Sequence, residues 1–349
     1  AAWPSCVTSS LSLRIKEWQK SFRRRNRMKK AALVTFLTVV ALVLFPCLGA
    51  AAGPSDLQMS IVPADALWVL HLDMEKLTSS ALFKMLTEAG GGPDIQQKTG
   101  EFFEKFKMDP FKDIKAVTVF GRGEAREEPV VAVSGNFDKA HLLGLLKADP
   151  SHKETPYGKY TLYSWKNKHF GVFVNDNLVL ITENEKDIKS ALDAVDGKAK
   201  NISASPLVAR LQKESANAIA TFAVADIAGL TGERKGAAAS RAMPAILSKM
   251  QSATGSISET GDKLNLKFEI GAASDQVAKD IEAAVRGVIA LVNLQFTDSD
   301  AQLITRGINV KVDGEKVRID ASYLVPELTK IIREHKDRKA SVPGPDNKN

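Results

Sequence analysis

In the run Leu264–Ile270, Leu264, Leu266, Phe268 and Ile270 alternate with polar residues, and this alternation constrains the fold more than any other feature. Side chains along a strand point to opposite faces with a period of two, so such a segment has one buried face and one wet face. Strands of this kind belong to antiparallel sheets covered on one side. Ile308 to Val312 and Val317 to Ala321 read as a hairpin on Asp313-Gly314, a strong two-residue turn signal. Asn175-Asp176-Asn177 supplies similar turn chemistry between Phe170–Val174 and Leu178–Thr182.

The same order of elements is read twice along the chain. Ala66–Leu72 is an apolar strand, followed by helical stretches from Met74 to Ala89 and from Asp94 to Met108. In the second of these Phe102, Phe103 and Phe106 are expected on one face. Strands Lys115–Phe120 and Val130–Ser134 follow, then a helix started by Asn136-Phe-Asp138, with Leu142, Leu143, Leu145 and Leu146 as its apolar face. Lys159–Trp165, Phe170–Val174 and Leu178–Thr182 are strands, and Glu185–Val195 is a helix ending at Gly197. The second half opens with Ala218–Val224; Asp226 follows it as Asp73 follows the first strand. A helix over Ser240–Met250, paired strands Ala253–Ile257 and Leu264–Ile270, a long helix capped by Ser274-Asp275, the hairpin and a helix over Pro326–His335 complete it.

The pattern predicts an α+β fold: two similar units of mostly antiparallel sheet, with helices packed on one face. The expected organisation is an N-terminal extension and signal peptide over 1–52, a first unit over 58–200, a second over 201–336 and a disordered polar tail over 337–349.

Residues 28–53 have the three parts of a secretory signal. Met28-Lys29-Lys30 is a basic start, Ala31–Leu44 an apolar run, and Ala50-Ala51-Ala52 an A-x-A cleavage site spanning Ala50 and Ala52. A permanent span needs about 20 apolar residues, which this stretch reaches only by counting Pro46 and Gly49. Cys47 is a poor lipid-attachment cysteine after Leu44-Phe45-Pro46, and Arg24-Arg25 only partly resembles a twin-arginine signal. The expected location is therefore periplasmic or secreted after cleavage, with an inner-membrane signal anchor as the alternative.

This leader carries the positive surplus. The chain has 48 Lys/Arg against 41 Asp/Glu, a net of +7, but nine of the bases and one acid, Glu17, lie in 1–52. The rest holds 39 bases and 40 acids, which offers no retained basic face of the kind a nucleic acid requires. Cys6 and Cys47 also lie in the leader. A mature chain without cysteine has no disulfide framework, cysteine-ligated zinc or cysteine nucleophile, and its roughly 295 residues must rely on their core.

Few motifs remain. Gly121-Arg122-Gly123 follows a strand, but Arg126 stands where a dinucleotide fingerprint needs its third glycine, and a strand comes next rather than a helix. His71, His141, His152, His169 and His335 are scattered. His71 and Asp73 share one strand face, which suits a site only if further ligands join them; a strand-end histidine beside a helix-capping aspartate is the simpler reading. Carboxylates such as Glu101 and Glu104 sit among lysines, as on a solvated helix face. Tyr157–Trp165 holds three of the four tyrosines. Tyr163 and Trp165 are expected on one face and Tyr160 on the other, forming an aromatic strip for a peptide or glycan, or cross-strand packing within a hairpin.

Val62-Pro-Ala-Asp-Ala-Leu-Trp-Val-Leu-His-Leu-Asp73, followed by Leu77 and Leu82, resembles the opening of a class of uncharacterised exported bacterial proteins with a domain of unknown function. That resemblance covers about 25 residues closely and the element order more loosely. It implies an envelope or secreted location and brings no catalytic residue with it.

Together these features predict a non-enzymatic exported protein with a binding or scaffolding role in the cell envelope. The expected partner is an envelope protein, a peptide or a glycan, with no nucleic acid, no cofactor, no metal, and membrane contact only through the signal segment. Tyr160, Tyr163, Trp165, His71 and Asp73 are the weak binding candidates, and no residue is assigned a catalytic role. The alternatives are an envelope hydrolase with scattered carboxylates and His71 at its site, or a signal-anchored domain facing the periplasm.

Overall fold

The computed structural model describes residues 58–123, 129–205, 208, 217–227, 249–295 and 299–340. The chain divides into 1–47 and 48–349, and the first unit, with the expected leader, lies outside the described residues. The expected helix over Ser240–Met250 also falls almost wholly outside them.

The core of 48–349 is one twelve-stranded sheet in which every pair of neighbours is antiparallel. The strands are β1 (Trp68–Asp73), β2 (Ile114–Gly121), β3 (Val130–Gly135), β4 (Lys153–Tyr157), β5 (Tyr160–Trp165), β6 (His169–Asn175) and β7 (Leu178–Thr182). They continue with β8 (Ala218–Val224), β9 (Met250–Thr260), β10 (Lys263–Ala272), β11 (Ile308–Asp313) and β12 (Lys316–Leu324). Their order across the sheet is β11-β12-β10-β9-β8-β1-β2-β3-β7-β6-β5-β4. Strands β1 and β8 join the halves, with Leu70 opposite Phe222 and Leu72 opposite Ala220. Outward from that pair the order is β1-β2-β3-β7-β6 on one side and β8-β9-β10-β12-β11 on the other.

Eight α-helices are described: α1 (Met74–Ser79), α2 (Ala81–Met85), α3 (Gly92–Phe106), α4 (Lys139–Lys147), α5 (Glu185–Val195), α6 (Asp275–Gln295), α7 (Ser299–Arg306) and α8 (Val325–Ala340). The expectation that they pack on one face is corrected. Leu72, Val117 and Val133 line the face covered by Leu77, Leu82 and Met85 of α1 and α2, Leu142 of α4 and Val325 of α8. Val69, Phe120 and Leu180 point the other way, against Ile61 and the Ile188 and Leu192 side chains of α5. Helix α6 returns to the first face, setting Ala278 and Ile281 on Val310 and Val317. The central strands have no wet side because both faces are covered. Leu180, Ile188 and Leu192 are 0% exposed, and full burial of such side chains contributes about 1.5–3 kcal/mol each.

Local chemistry sets the helix ends. Asp73 Oδ1 accepts from Lys76 N–H at 2.9 Å and starts α1. Ser80 Oγ accepts from Phe83 N–H at 3.0 Å and starts α2. The remaining first-turn donors of α2 are met from the other half of the chain, where Glu259 on β9 accepts from Ala81 N–H at 2.8 Å and Leu82 N–H at 3.0 Å. One carboxylate thus satisfies two orphan donors at the positive end of the helix.

Four details differ from the sequence reading. A π-helical turn over Leu86–Gly91 carries the chain from α2 into α3, so the glycines before Pro93 stay within helical backbone. Strand β4 was missed because Pro156 argues against a strand; it sits on the sheet edge, where a missing N–H costs no ladder bond. Helix α8 runs to Ala340 instead of stopping at His335, because Lys336, Arg338, Lys339 and Ala340 all favour helix. The turn at 313–316 sits one residue later than read, with Gly314 at φ +56° between paired Asp313 and Lys316. Among the described residues no helix is long and apolar enough to cross a membrane.

Glu259→Ala should lower unfolding stability by about 1–2 kcal/mol through the two exposed donors. Chemical denaturation monitored by circular dichroism measures this, and an unchanged midpoint would remove the long-range cap from the account.

Candidate functional site

His71 and Asp73 lie on the same face of β1, at 4% and 2% exposure, but do not converge on a cleft. Asp73 is committed to the start of α1, where its Oδ2 also accepts from Lys76 Nζ at 2.6 Å. His71 Nδ1 lies 3.0 Å from Thr118 Oγ1 on the neighbouring strand. Thr221 opposes His71 from β8, and its buried hydroxyl has no hydrogen-bond partner among the described residues. The pair therefore works as a helix cap and an interior hydrogen bond.

The aromatic strip divides as strand alternation requires. Tyr160 and Leu162 face the core under α5. Tyr163, 8% exposed, packs between His152 and Phe173 with ring centroids 6.1 and 6.3 Å away. Trp165 is half-buried against His169, and its ring lies where a side chain on Gly171 would stand. These rings make cross-strand contacts and leave no open Tyr163–Trp165 platform.

The tyrosine hydroxyls tie this hairpin to α5. Tyr157 Oη donates to both Asp193 oxygens, at 3.0 and 2.9 Å, and Tyr160 Oη donates to Asp196 Oδ1 at 2.8 Å. Lys159 and Lys198 also reach Asp196, at 2.8 and 2.9 Å. These three donors, the lysines foremost, hold the Asp196 carboxyl far below its ordinary value. Burial, with the Asp196 hydrogen bond, pushes the Tyr160 phenol up.

The site with the shape of a binding surface lies elsewhere. Helix α2, the π-helical turn, α3 and the segment leading into β2 line an open groove of about 740 Å³. Phe83, Ile95, Phe103 and Phe111 supply its apolar lining. Phe83 and Phe111 meet edge to face at 4.9 Å and 64°, a geometry aromatic rings favour. Phe103 is not on the face of its neighbours, as the sequence suggested. Phe102 and Phe106 pack inward with centroids 4.6 Å apart, while Phe103, one position round the helix, is 46% exposed in the groove.

Gly100 opens the wall of α3, because nothing lies within 4 Å of where its Cβ would stand. Two threonines contribute little polarity: Thr87 Oγ1 donates to Phe83 O at 2.9 Å and Thr99 Oγ1 to Ile95 O at 2.7 Å. Its charged lining residues are paired: Glu88 meets Arg333 of α8 and Asp109 meets Lys112. Burial pushes the Asp109 carboxyl up, but hydrogen bonds from Lys112 and Phe111 outweigh it and leave it below its ordinary value.

The groove was not legible as a site. Its aromatic residues come from three segments, and only the Phe102–Phe106 cluster gave a signal. A second depression, of about 580 Å³, is the solvent face of β9, β10 and β12, with Ser256, Asn265 and Asp320 along it. Among the described residues no group of three or more His, Cys, Asp or Glu is placed to hold a metal ion.

No family model matches the sequence, and no curated protein matches it. Three solved structures of TP0453, in crystal forms III, I and IV, are similar in shape, with TM-scores of 0.46, 0.44 and 0.46. They share 10%, 9% and 10% sequence identity and cover 80%, 82% and 81% of this chain and 99%, 98% and 100% of their own. Values this low assign neither a family nor an activity.

The Asp196 cluster gives a pH prediction. A carboxyl held below its ordinary value of 3.8 adds stability that is present above that value and lost progressively as the pH falls from there towards the lowered value of the folded state. Thermal melts at pH 6 and about pH 3 should show native protein losing more stability than Asp196→Asn on acidification. Equal losses would exclude the cluster as a contributor.

Proposed function

We propose that this chain is a non-enzymatic exported protein, periplasmic or secreted after cleavage near Ala50–Ala52, that binds or scaffolds a partner in the cell envelope. The α2–α3 groove is its contact site and receives apolar side chains of the partner. One observation carries this reading: Phe103 stands half-exposed beside the gap at Gly100, in a mostly apolar groove whose charged lining residues are paired. Largely apolar clefts with a few polar groups at their margin are the usual form of a binding site. Engagement of His71 and Asp73 in structural bonds leaves the hydrolase reading without a constellation to support it.

The two halves are also proposed to be copies of one unit. Their mirrored strand order supports this, as does the presence of α4 and α6 on the same sheet face. Their closing helices, α5 and α8, lie on opposite faces and mark where the copies have diverged. A superposition of β1–β3 on β8–β10 that failed to carry α4 onto α6 would argue against duplication.

N-phenyl-1-naphthylamine should bind the native protein saturably, with a fluorescence increase. Gly100→Leu, which fills the gap while keeping α3 helical, should weaken that binding about tenfold or more. Binding indifferent to Gly100→Leu would move the contact site elsewhere. N-terminal sequencing of the same preparation should begin near Gly53 in the soluble fraction; an intact Met28 in membranes would overturn the location.

A further inference from the structure

Among the described residues the sheet ends in two edge strands, and they are built differently. Strand β4 carries Lys153, Glu154 and Pro156, all exposed; a charged edge with a proline resists a further strand. Strand β11 has no proline, and its only charges are Lys311 and Asp313. Asp313 and Lys316 flank a two-residue turn, so Asp313, Lys311 and Asn309 exchange their backbone bonds with β12. Ile308, Val310 and Val312 consequently turn their N–H and C=O groups outward. Among the described residues one side chain meets that edge: Arg286 of α6, whose Nη2 donates to Val310 O at 2.7 Å.

We propose that β11 is a strand-pairing surface for a second copy of this chain, and that Arg286 holds it closed. The edge is complementary to itself. Antiparallel pairing about a two-fold axis at Val310 sets Ile308 against the partner's Val312, and Asn309 against the partner's Lys311. The apolar side chains then extend the face that α6 covers, and the polar ones extend the wet face. No like charges stand directly opposite, whereas a register centred on Lys311 would oppose two ammonium groups. The Arg286 guanidinium, paired with Glu282 at 2.8 Å, occupies the approach to Val310 O that the incoming strand's N–H requires. A six-residue ladder is only about 20 Å long and by itself buries less than the roughly 800 Å² per partner of a standard interface, so the dimer depends on concentration.

Sedimentation velocity over a concentration series tests the proposal. Arg286→Ala should shift the native protein towards dimer, with association at least about tenfold tighter. In that background Asn309→Lys sets a second ammonium against the partner's Lys311 and should weaken the dimer about tenfold, while Asn309→Asp should strengthen it by a similar factor. Asn309 is exposed, so both changes leave the core intact. If Arg286→Ala does not fold, Arg286→Gln and the two Asn309 variants in the unmodified chain give the same ordering. An Arg286→Ala protein that sediments like the native one overturns the proposal, as does a dimer indifferent to both Asn309 changes.

Discussion

The antiparallel pairing of β1 with β8 is the contact on which the rest of this structure depends. It turns two sets of strands, each with its own helices, into one sheet. Without it β1 and β8 would each lose one ladder, and the sheet would part into seven strands and five. Two distant contacts follow from the geometry it sets. Glu259 on β9 reaches the start of α2, and α8 at the end of the chain packs beside α1 and α2. The halves are bound by backbone ladder, a helix cap and a shared apolar layer together, which is why residues 48–349 form a single compact unit.

The middle of that pairing is polar. Thr118, His71, Thr221 and Ser256 form a row across β2, β1, β8 and β9, and each is buried. A one-residue slip would turn every side chain of β1 to the opposite face of the sheet. A slip of two would not. That slip would keep the faces and carry His71 away from Thr118, leaving a buried imidazole without the bond at 3.0 Å. The cost of an unmet buried polar group, about 1–3 kcal/mol, falls on the wrong register. His71 thus serves the fold by specifying alignment.

Strand alternation and turn chemistry made much of the sheet legible in the sequence. Leu264 to Ile270 and the Gly314 turn carry their geometry in local residue order. What stayed hidden depended on partners far along the chain. Pro156 looks incompatible with a strand until β4 is known to be an edge, and nothing near Glu259 signals that it caps α2. The side on which α5 packs was illegible for a related reason. Central strands buried on both faces lose the alternation that would have distinguished them.

The candidate site was the least legible part because a groove is a property of assembled surfaces. Tyr160, Tyr163 and Trp165 stood out through rarity, yet rarity does not separate a packed ring from an exposed one. Each found a neighbour: Tyr160 the core under α5, Tyr163 the His152 and Phe173 rings, Trp165 the space over Gly171. Phe103 carried a weaker signal, being one of three phenylalanines within five residues. It became the exposed member because helical geometry turns each successive residue about 100°, so Phe102 and Phe103 cannot both face the same layer. A glycine three residues earlier, in the preceding turn, leaves that ring beside empty space where a side chain would have covered it. The pairing of an unburied aromatic ring with an absent side chain one turn away distinguishes this groove from the depression over β9, β10 and β12.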